Sequence, residues 1–219
     1  MRVLTWNLFH GRAVQPRRRD LFGEFAAAID GWDWDVALLQ EVLPGWPGRL
    51  GAATSASSRS VRTSRNWIPP LRWVGGRRPE LVKSWSGGCN AILVRGEAIA
   101  EHRVQGLRRR PERRVTHAVR LANGVWAANL HAQVRPELLA RSDTARAAAT
   151  ALAWAGDAPL VLGGDFNLRD PAAAGLRHAG GNWVDHVLVR GFEPRGHREL
   201  PDRGGLSDHK PVIVELQPC

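Results

Sequence analysis

Short apolar runs recur along the chain, and most of them end in a carboxylate, an amide or a histidine. The first, Arg2 to Leu8, is β-prone and leads into a polar loop between Asn7 and Arg12. From Asp20 to Ile29 the apolar residues Leu21, Phe22, Phe25 and Ile29 fall on one helical face, which predicts an amphipathic helix. Val36 to Leu39 predicts a second strand that ends at Gln40-Glu41. A strand–helix–strand opening of this kind implies an α/β layered structure. The stretch from Pro44 to Gly88 is rich in Ser, Arg, Gly, Pro and Trp and has no clean period, so it reads as a long irregular excursion with a helical turn or two.

Beyond it, Ala91–Val94 and the segments 99–105, 115–121 and 125–131 predict strands. The Asn123-Gly124 turn makes the last of these an antiparallel meander. Pro136 to Trp154 is Ala-rich and helical, with the proline suited to a first position. Leu160–Leu162 is a buried strand running into Gly163-Gly164-Asp165, and Ala172 to His178 reads as a short helix. Val184–Val189 and Val212–Leu216 supply the final strands. With no internal repeat and no linker, residues 1–219 are expected to form a single domain carrying the excursion at about 44–88.

Composition narrows the classes. No apolar run approaches the ~18 residues of a membrane span, so no stable membrane insertion is expected. The apolar run at the N-terminus is interrupted by Thr5 and Asn7, unlike a signal peptide. Cys89 and Cys219 are the only cysteines, which rules out a disulfide framework and a cysteine-rich zinc site, and a cytoplasmic monomer is the expected state. The net charge is +10, and lysine occurs only at Lys83 and Lys210, so nearly all of the positive charge is arginine. Such a field attracts nucleic acids and other polyanions. An arginine-rich, alanine-rich composition is equally what a GC-rich gene yields.

The candidate chemistry lies at the strand ends: Asn7, Glu41, Asn129 and His131, Asp165 and Asn167, Asp185, and Asp208-His209. Ligand sites in sheet proteins gather at such ends, and hard oxygen ligands suit Mg²⁺ or Mn²⁺. Singly, each has a plain reading as a turn or solvated residue. In order along the chain, however, Thr5-Trp6-Asn7, Leu39-Gln40-Glu41, Asn129-Leu130-His131, Gly164-Asp165-Phe166-Asn167, Val184-Asp185-His186 and Ser207-Asp208-His209-Lys210-Pro211 resemble the endonuclease/exonuclease/phosphatase family, the superfamily of deoxyribonuclease I. The resemblance spans essentially the whole chain and implies an α/β (α+β) four-layer sandwich, two packed mixed sheets flanked by helices.

It also implies a Mg²⁺-dependent phosphoric ester hydrolase, with Mn²⁺ as the other candidate ion. In that family Glu41 would be the main metal ligand, with Asn7 beside it and Asp208 completing the set. Asp165 would activate the attacking water, and Asn167 would hold that water or a phosphate oxygen. His209, held by Asp185, would stabilise the phosphate, and His131 would donate a proton or bind an oxygen. Asn90, Arg110, Arg113 and His10 are further candidates for substrate contact, while His186 reads as structural. His131 stands where AP endonucleases tend to carry a tyrosine, and the chain has no tyrosine. Arginine clusters near Trp67, Trp73 and Trp85 favour a nuclease acting on DNA or RNA. The alternatives are a phosphatase or phospholipase C-type enzyme acting on inositol phosphates or sphingomyelin, and, more remotely, an inactive nucleic-acid-binding protein. Against the last, every principal site position carries a competent residue.

Overall fold

In a computed structural model the described residues are 1–17, 19–64, 87–201 and 204–219. The chain opens with β1 (Arg2–Asn7), a 3₁₀ turn at Phe9–Gly11, α1 (Phe22–Asp30) and β2 (Val36–Val42). α2 (Trp46–Ala53), β3 (Ser57–Arg62) and β4 (Cys89–Val94) follow. The meander is β5 (Ile99–Arg108), β6 (Arg114–Leu121) and β7 (Trp126–His131). Next come α3 (Glu137–Ala155), β8 (Leu160–Asp165), β9 (Arg177–Asn182), β10 (Asp185–Arg190), β11 (Phe192–Glu199) and β12 (Val212–Pro218).

The strands form two six-stranded sheets, β11-β12-β1-β2-β4-β3 and β5-β6-β7-β8-β10-β9. Strand alternation assigns each side chain to a layer. In β1 and β2, Val3, Val36 and Leu38 point between the sheets, where they meet Ile92, Val119, Ala127, Val161 and Val187. Leu4, Trp6 and Leu39 point outward under Phe25 and Ile29 of α1 and Trp46 and Leu50 of α2. On the far side Ala140, Ala147, Ala148 and Ala151 of α3 lie on Leu130, Leu162 and Leu188, the small alanines letting the helix seat closely on its sheet. The result is the expected four-layer α/β sandwich.

Each sheet contains one parallel pair, β1–β2 joined through α1 and β7–β8 joined through α3. These four strands end at Asn7, Glu41-Val42, His131 and Asp165.

Three local expectations change. Residues 172–178 form no helix: a turn with Gly175 at φ +80° leads directly into β9. Pairing with β10 satisfies that backbone, and the segment is too short for a helix to stabilise itself. The 44–88 excursion contains a helix, α2, with Pro47 in its first turn, and an edge strand, β3. β11 is an edge strand of mixed polarity broken by a bulge between Pro194 and Gly196, so it shows no alternation to read. Arg18, Arg65, Trp67, Trp73, Arg77, Arg78 and Trp85 lie outside the described residues.

Candidate active site at the strand ends

β1 ends by turning its chain through three consecutive left-handed residues, Phe9, His10 and Gly11, with φ of 49°, 53° and 70°. The Asn7 Oδ1 accepts the Phe9 N–H at 3.0 Å, and its Nδ2 donates to Asp165 Oδ2 at 3.1 Å, bridging the two sheets. In β2 the register with β4 slips between Leu39 and Val42, and Glu41 sits inside the slip at φ 49°. The bulge frees Glu41 from alternation, so its carboxylate turns out into a cavity while Gln40 stays inside. Its Oε2 lies 3.2 Å from His10 Nε2.

Beneath these groups runs a buried amide bridge that the sequence motifs had left without a role. Gln40 Nε2 donates to Asn129 Oδ1 at 2.9 Å, and Asn129 Nδ2 donates to the carbonyls of Leu39 (3.0 Å) and Ala91 (2.9 Å). Asn90 belongs to this floor. It is fully buried, with its Nδ2 3.5 Å from the Val115 carbonyl and its Oδ1 unpartnered among the described residues.

Asp165 is the hub. It is 2% exposed, it is the cross-strand neighbour of both His131 and Asp185, and its Oδ1 accepts the Asn167 N–H at 3.0 Å. His131 Nε2 stands 3.5 Å and His209 Nε2 3.9 Å from its Oδ2. The other nitrogen of His209 meets Asp185 Oδ2 at 2.7 Å. The loop carrying His209 is tied to β1 twice and braced once within itself. Ser207 Oγ donates to the Asn7 carbonyl at 2.7 Å and accepts the His209 N–H at 3.1 Å, and Trp6 Nε1 donates to the His209 carbonyl at 2.9 Å. The serine thus fixes the histidine's backbone and ties the Ser-Asp-His run together as a unit. Asp208 is exposed, and the negative charge it adds raises both Asp185 and His209. Asn167 holds its left-handed backbone (φ 51°) by donating Nδ2 to the Ala132 carbonyl at 3.0 Å.

The electrostatics follow from this packing. Burial first, then the Asp185 charge, push Asp165 up to about 7, against the pull of His209, Asn7 and the Asn167 amide. Asp185 is also raised by burial, opposed by its bond to His209. Burial pulls His209 down, but the Asp185 hydrogen bond and the charges of Asp185, Asp165 and Asp208 together lift it to about 9. His131 goes the other way. Burial, then Arg114, His209 and His10, hold it well below the usual histidine range. The site therefore holds a cationic imidazole and a neutral one on either side of a carboxylate poised near neutrality.

Asp165, Asp185 and His209 lie close enough to surround a cation. Their hydrogen bonding argues otherwise, because His209 uses one nitrogen on Asp185, turns the other to Asp165, and carries the positive charge itself. Glu41 is the better anchor for a divalent ion. It is a hard carboxylate without an arginine or lysine partner among the described residues, and it faces a cavity of about 190 Å³ lined also by His10, His131, Gly88, Glu112 and Arg113. Asn7 lies opposite Gln40 in the β1–β2 pairing, one residue from Glu41, and its amide oxygen, which accepts the Phe9 N–H, is of the same hard type.

Two residues at the rim carry no family motif. Trp183 is half exposed at φ 55°, its ring 5.8 Å from that of His209, with the Arg169 guanidinium 5.7 Å above it. A tryptophan set in the polar turn Gly181-Asn182-Trp183 was the available signal. Arg114, buried against Gln133 and paired with Glu112, lines the cavity beside Arg113. Arg110 lies outside this cavity, in an adjoining trough.

With the geometry in view, the family model described as Endonuclease/Exonuclease/phosphatase family matches residues 4–209, from the first strand to His209. The chain belongs to the endonuclease/exonuclease/phosphatase family. Members of this family are phosphoric ester hydrolases that generally use divalent metals. The fold is shared with an endonuclease/exonuclease/phosphatase from Beutenbergia cavernae at 20% identity and TM-score 0.73, covering 100% of this chain and 71% of that one. A mannosyl-6-phosphatase from Bacteroides thetaiotaomicron superposes at 15% identity and TM-score 0.71, covering 99% of each chain. A humanized D. rerio TDP2 superposes at 14% identity and TM-score 0.70, covering 99% of this chain and 98% of that one. No curated protein matches by sequence.

Proposed function

We propose that this chain is a metal-dependent phosphodiesterase that hydrolyses nucleic acid. The observation that carries the hydrolytic part is the relay around Asp165: a buried carboxylate raised to about 7, flanked by a cationic His209 locked on Asp185 and by a neutral His131. A base that titrates near neutrality is matched to removing a proton from water at ordinary pH. Water attacks phosphorus, its proton passes to Asp165, and the bond from phosphorus to the leaving oxygen breaks, that oxygen keeping the electron pair and taking a proton from solvent. His209 donates a hydrogen bond to a non-bridging oxygen and offsets the charge that builds there. His131, kept neutral by burial, suits the binding of a phosphate oxygen better than proton donation. Asn167 steadies Asp165 through its backbone N–H. Glu41 and Asn7, with Asp208 at the rim, would hold Mg²⁺ or Mn²⁺. Such an ion supplies Lewis-acid neutralisation of the phosphate oxygens.

Nucleic acid as substrate rests on the +10 charge, carried almost wholly by arginine, and on Trp183 at the mouth, placed where a base could stack. The test is hydrolysis by purified protein with Mg²⁺, Mn²⁺ or EDTA and with Asp165→Asn as control. The panel is plasmid DNA, single-stranded DNA, RNA, bis-p-nitrophenyl phosphate, sphingomyelin and an inositol polyphosphate. Metal-dependent nucleic-acid cleavage lost in the variant supports the proposal. Turnover of only the lipid or the inositol phosphate would overturn the substrate, and metal-independent activity would overturn the mechanism.

A further inference from the structure

The β5–β6 connection is unusually basic. Arg108, Arg109, Arg110, Arg113 and Arg114 fall within seven residues, and Arg146 of α3 faces them. These six arginines, with Gln105, Gly106 and Leu107, line a trough of about 820 Å³. Two of the six have acid partners. The register slip between Gly106 and Arg108 turns Arg108 onto α3, where its Nε meets the fully buried Asp143 at 3.0 Å. Asp143 also accepts the Gln133 N–H at 3.1 Å, so the pair pins the connection to both α3 and the strand end after β7. Arg114 is paired with Glu112. Arg109, Arg110, Arg113 and Arg146 are exposed and have no ion-pair or hydrogen-bond partner among the described residues.

The trough is continuous with the cavity that holds Glu41, His10 and His131, because Arg113 and Arg114 line both. Four unpaired guanidiniums held in one concavity repel one another, and a polyanion relieves that repulsion. The lining offers a lipid surface nothing to insert, since its only large apolar residue, Leu107, is 2% exposed. Guanidinium forks match phosphate oxygens, and phosphate contacts of this kind fix a strand without reading its sequence.

We propose that this trough is a subsite for the phosphates that flank the scissile one on the same nucleic-acid strand. The substrate then approaches from the β5–β6 side, with flanking phosphates on Arg109, Arg110 and Arg146 and the scissile one passing Arg113 to the Asp165 relay. Substrates with a single phosphate gain nothing from the trough. The inference rests on the phosphodiesterase reading for its meaning, but its test does not require catalysis.

The experiment measures binding of a fluorescent single-stranded oligodeoxynucleotide in EDTA across a series of NaCl concentrations. It compares wild type with Arg109→Glu/Arg146→Glu, both exposed positions, with folding checked by circular dichroism. Each single-strand phosphate contact contributes about 0.7 to the slope of log affinity against log salt, so loss of two should make the slope shallower by about 1.4. The dissociation constant should rise at least about tenfold at 0.1 M NaCl. In the loaded enzyme KM for the oligonucleotide should rise while turnover of bis-p-nitrophenyl phosphate, too short to enter the trough, reports the cavity alone. An unchanged slope overturns the subsite, as does wild-type binding to phosphatidylserine vesicles in place of the oligonucleotide. Absence of any hydrolysis with the predicted salt slope intact would instead overturn the phosphodiesterase reading and leave the trough standing.

Discussion

As the proposed base, Asp165 sits where function and stability oppose each other, and Asp165→Asn separates the two. The folded protein lifts this carboxyl from an ordinary 3.8 to about 7, so its contribution to stability is fully present below pH 3.8 and lost as the pH rises through about 7. The gap corresponds to about 4 kcal/mol of unfavourable burial at pH 8. An asparagine removes that charge and can still accept the Asn167 N–H through its oxygen. Its amide nitrogen, however, meets Asn7 Nδ2 where a carboxylate oxygen stood, and leaves His209 with one counter-charge fewer. Those losses are each about 1–3 kcal/mol and offset much of the gain. The variant should therefore unfold in urea at pH 8 with a stability equal to or above wild type, while turnover falls about 10³-fold, or about 4 kcal/mol of barrier. Turnover within tenfold of wild type in a folded variant refutes the base assignment. A stability loss above about 2 kcal/mol at pH 8 refutes the account of the buried charge.

Three further outcomes follow from the same structure. Asp185→Asn removes the main support of the His209 cation, so the alkaline limb of kcat/KM, expected near 9, should move down by about a pH unit or more in a pH–rate profile. His117 is fully buried beside His102 and held near 3 against an ordinary 6.5. Its stability contribution is present above pH 6.5 and lost as the pH falls toward 3, so the difference in urea stability between wild type and His117→Gln should shrink by about 2 kcal/mol from pH 7.5 to 5. Gly164 has φ +141°, and a Cβ there would overlap the Leu130 carbonyl across the β7–β8 pair. Gly164→Ala should fail to accumulate as folded protein, whereas Gly163→Ala, whose closest clash is with the end of the Leu38 side chain at 2.7 Å and which meets the His186 carbonyl and Val187 at 3.3 Å, should fold at reduced stability by circular dichroism.

The layers were legible because burial on both faces writes long apolar strands such as Val36–Leu39 and Leu160–Leu162, and the polar residue closing each run marks the strand end. The candidate site residues stood out as motifs, yet motif did not carry their electrostatics. His131 and His209 look alike in sequence. Burial holds His131 neutral, whereas His209 is cationic because Asp185, at the start of β10, hydrogen-bonds only to it. The Gln40–Asn129 bridge was hidden for a similar reason, since an amide's partner 89 residues away leaves no local trace. β9 and β11 escaped because edge strands rich in Gly, Arg and His have neither alternation nor apolar weight. The His10–Glu41 contact depends on three left-handed residues in a row, which only Gly11 announces.

The amino group of Met1 bonds the Leu216 carbonyl at 2.7 Å, and β1 has β12 as its neighbour on one side. Asn7, early in the sequence, is thus held by Ser207 two hundred positions later, and its neighbour Trp6 by the His209 carbonyl. A chain still emerging from the ribosome lacks the strand that completes β1 and the histidine that Asp185 awaits. Until residues 207–216 have been made, the candidate site therefore cannot assemble around Asn7 and Asp185.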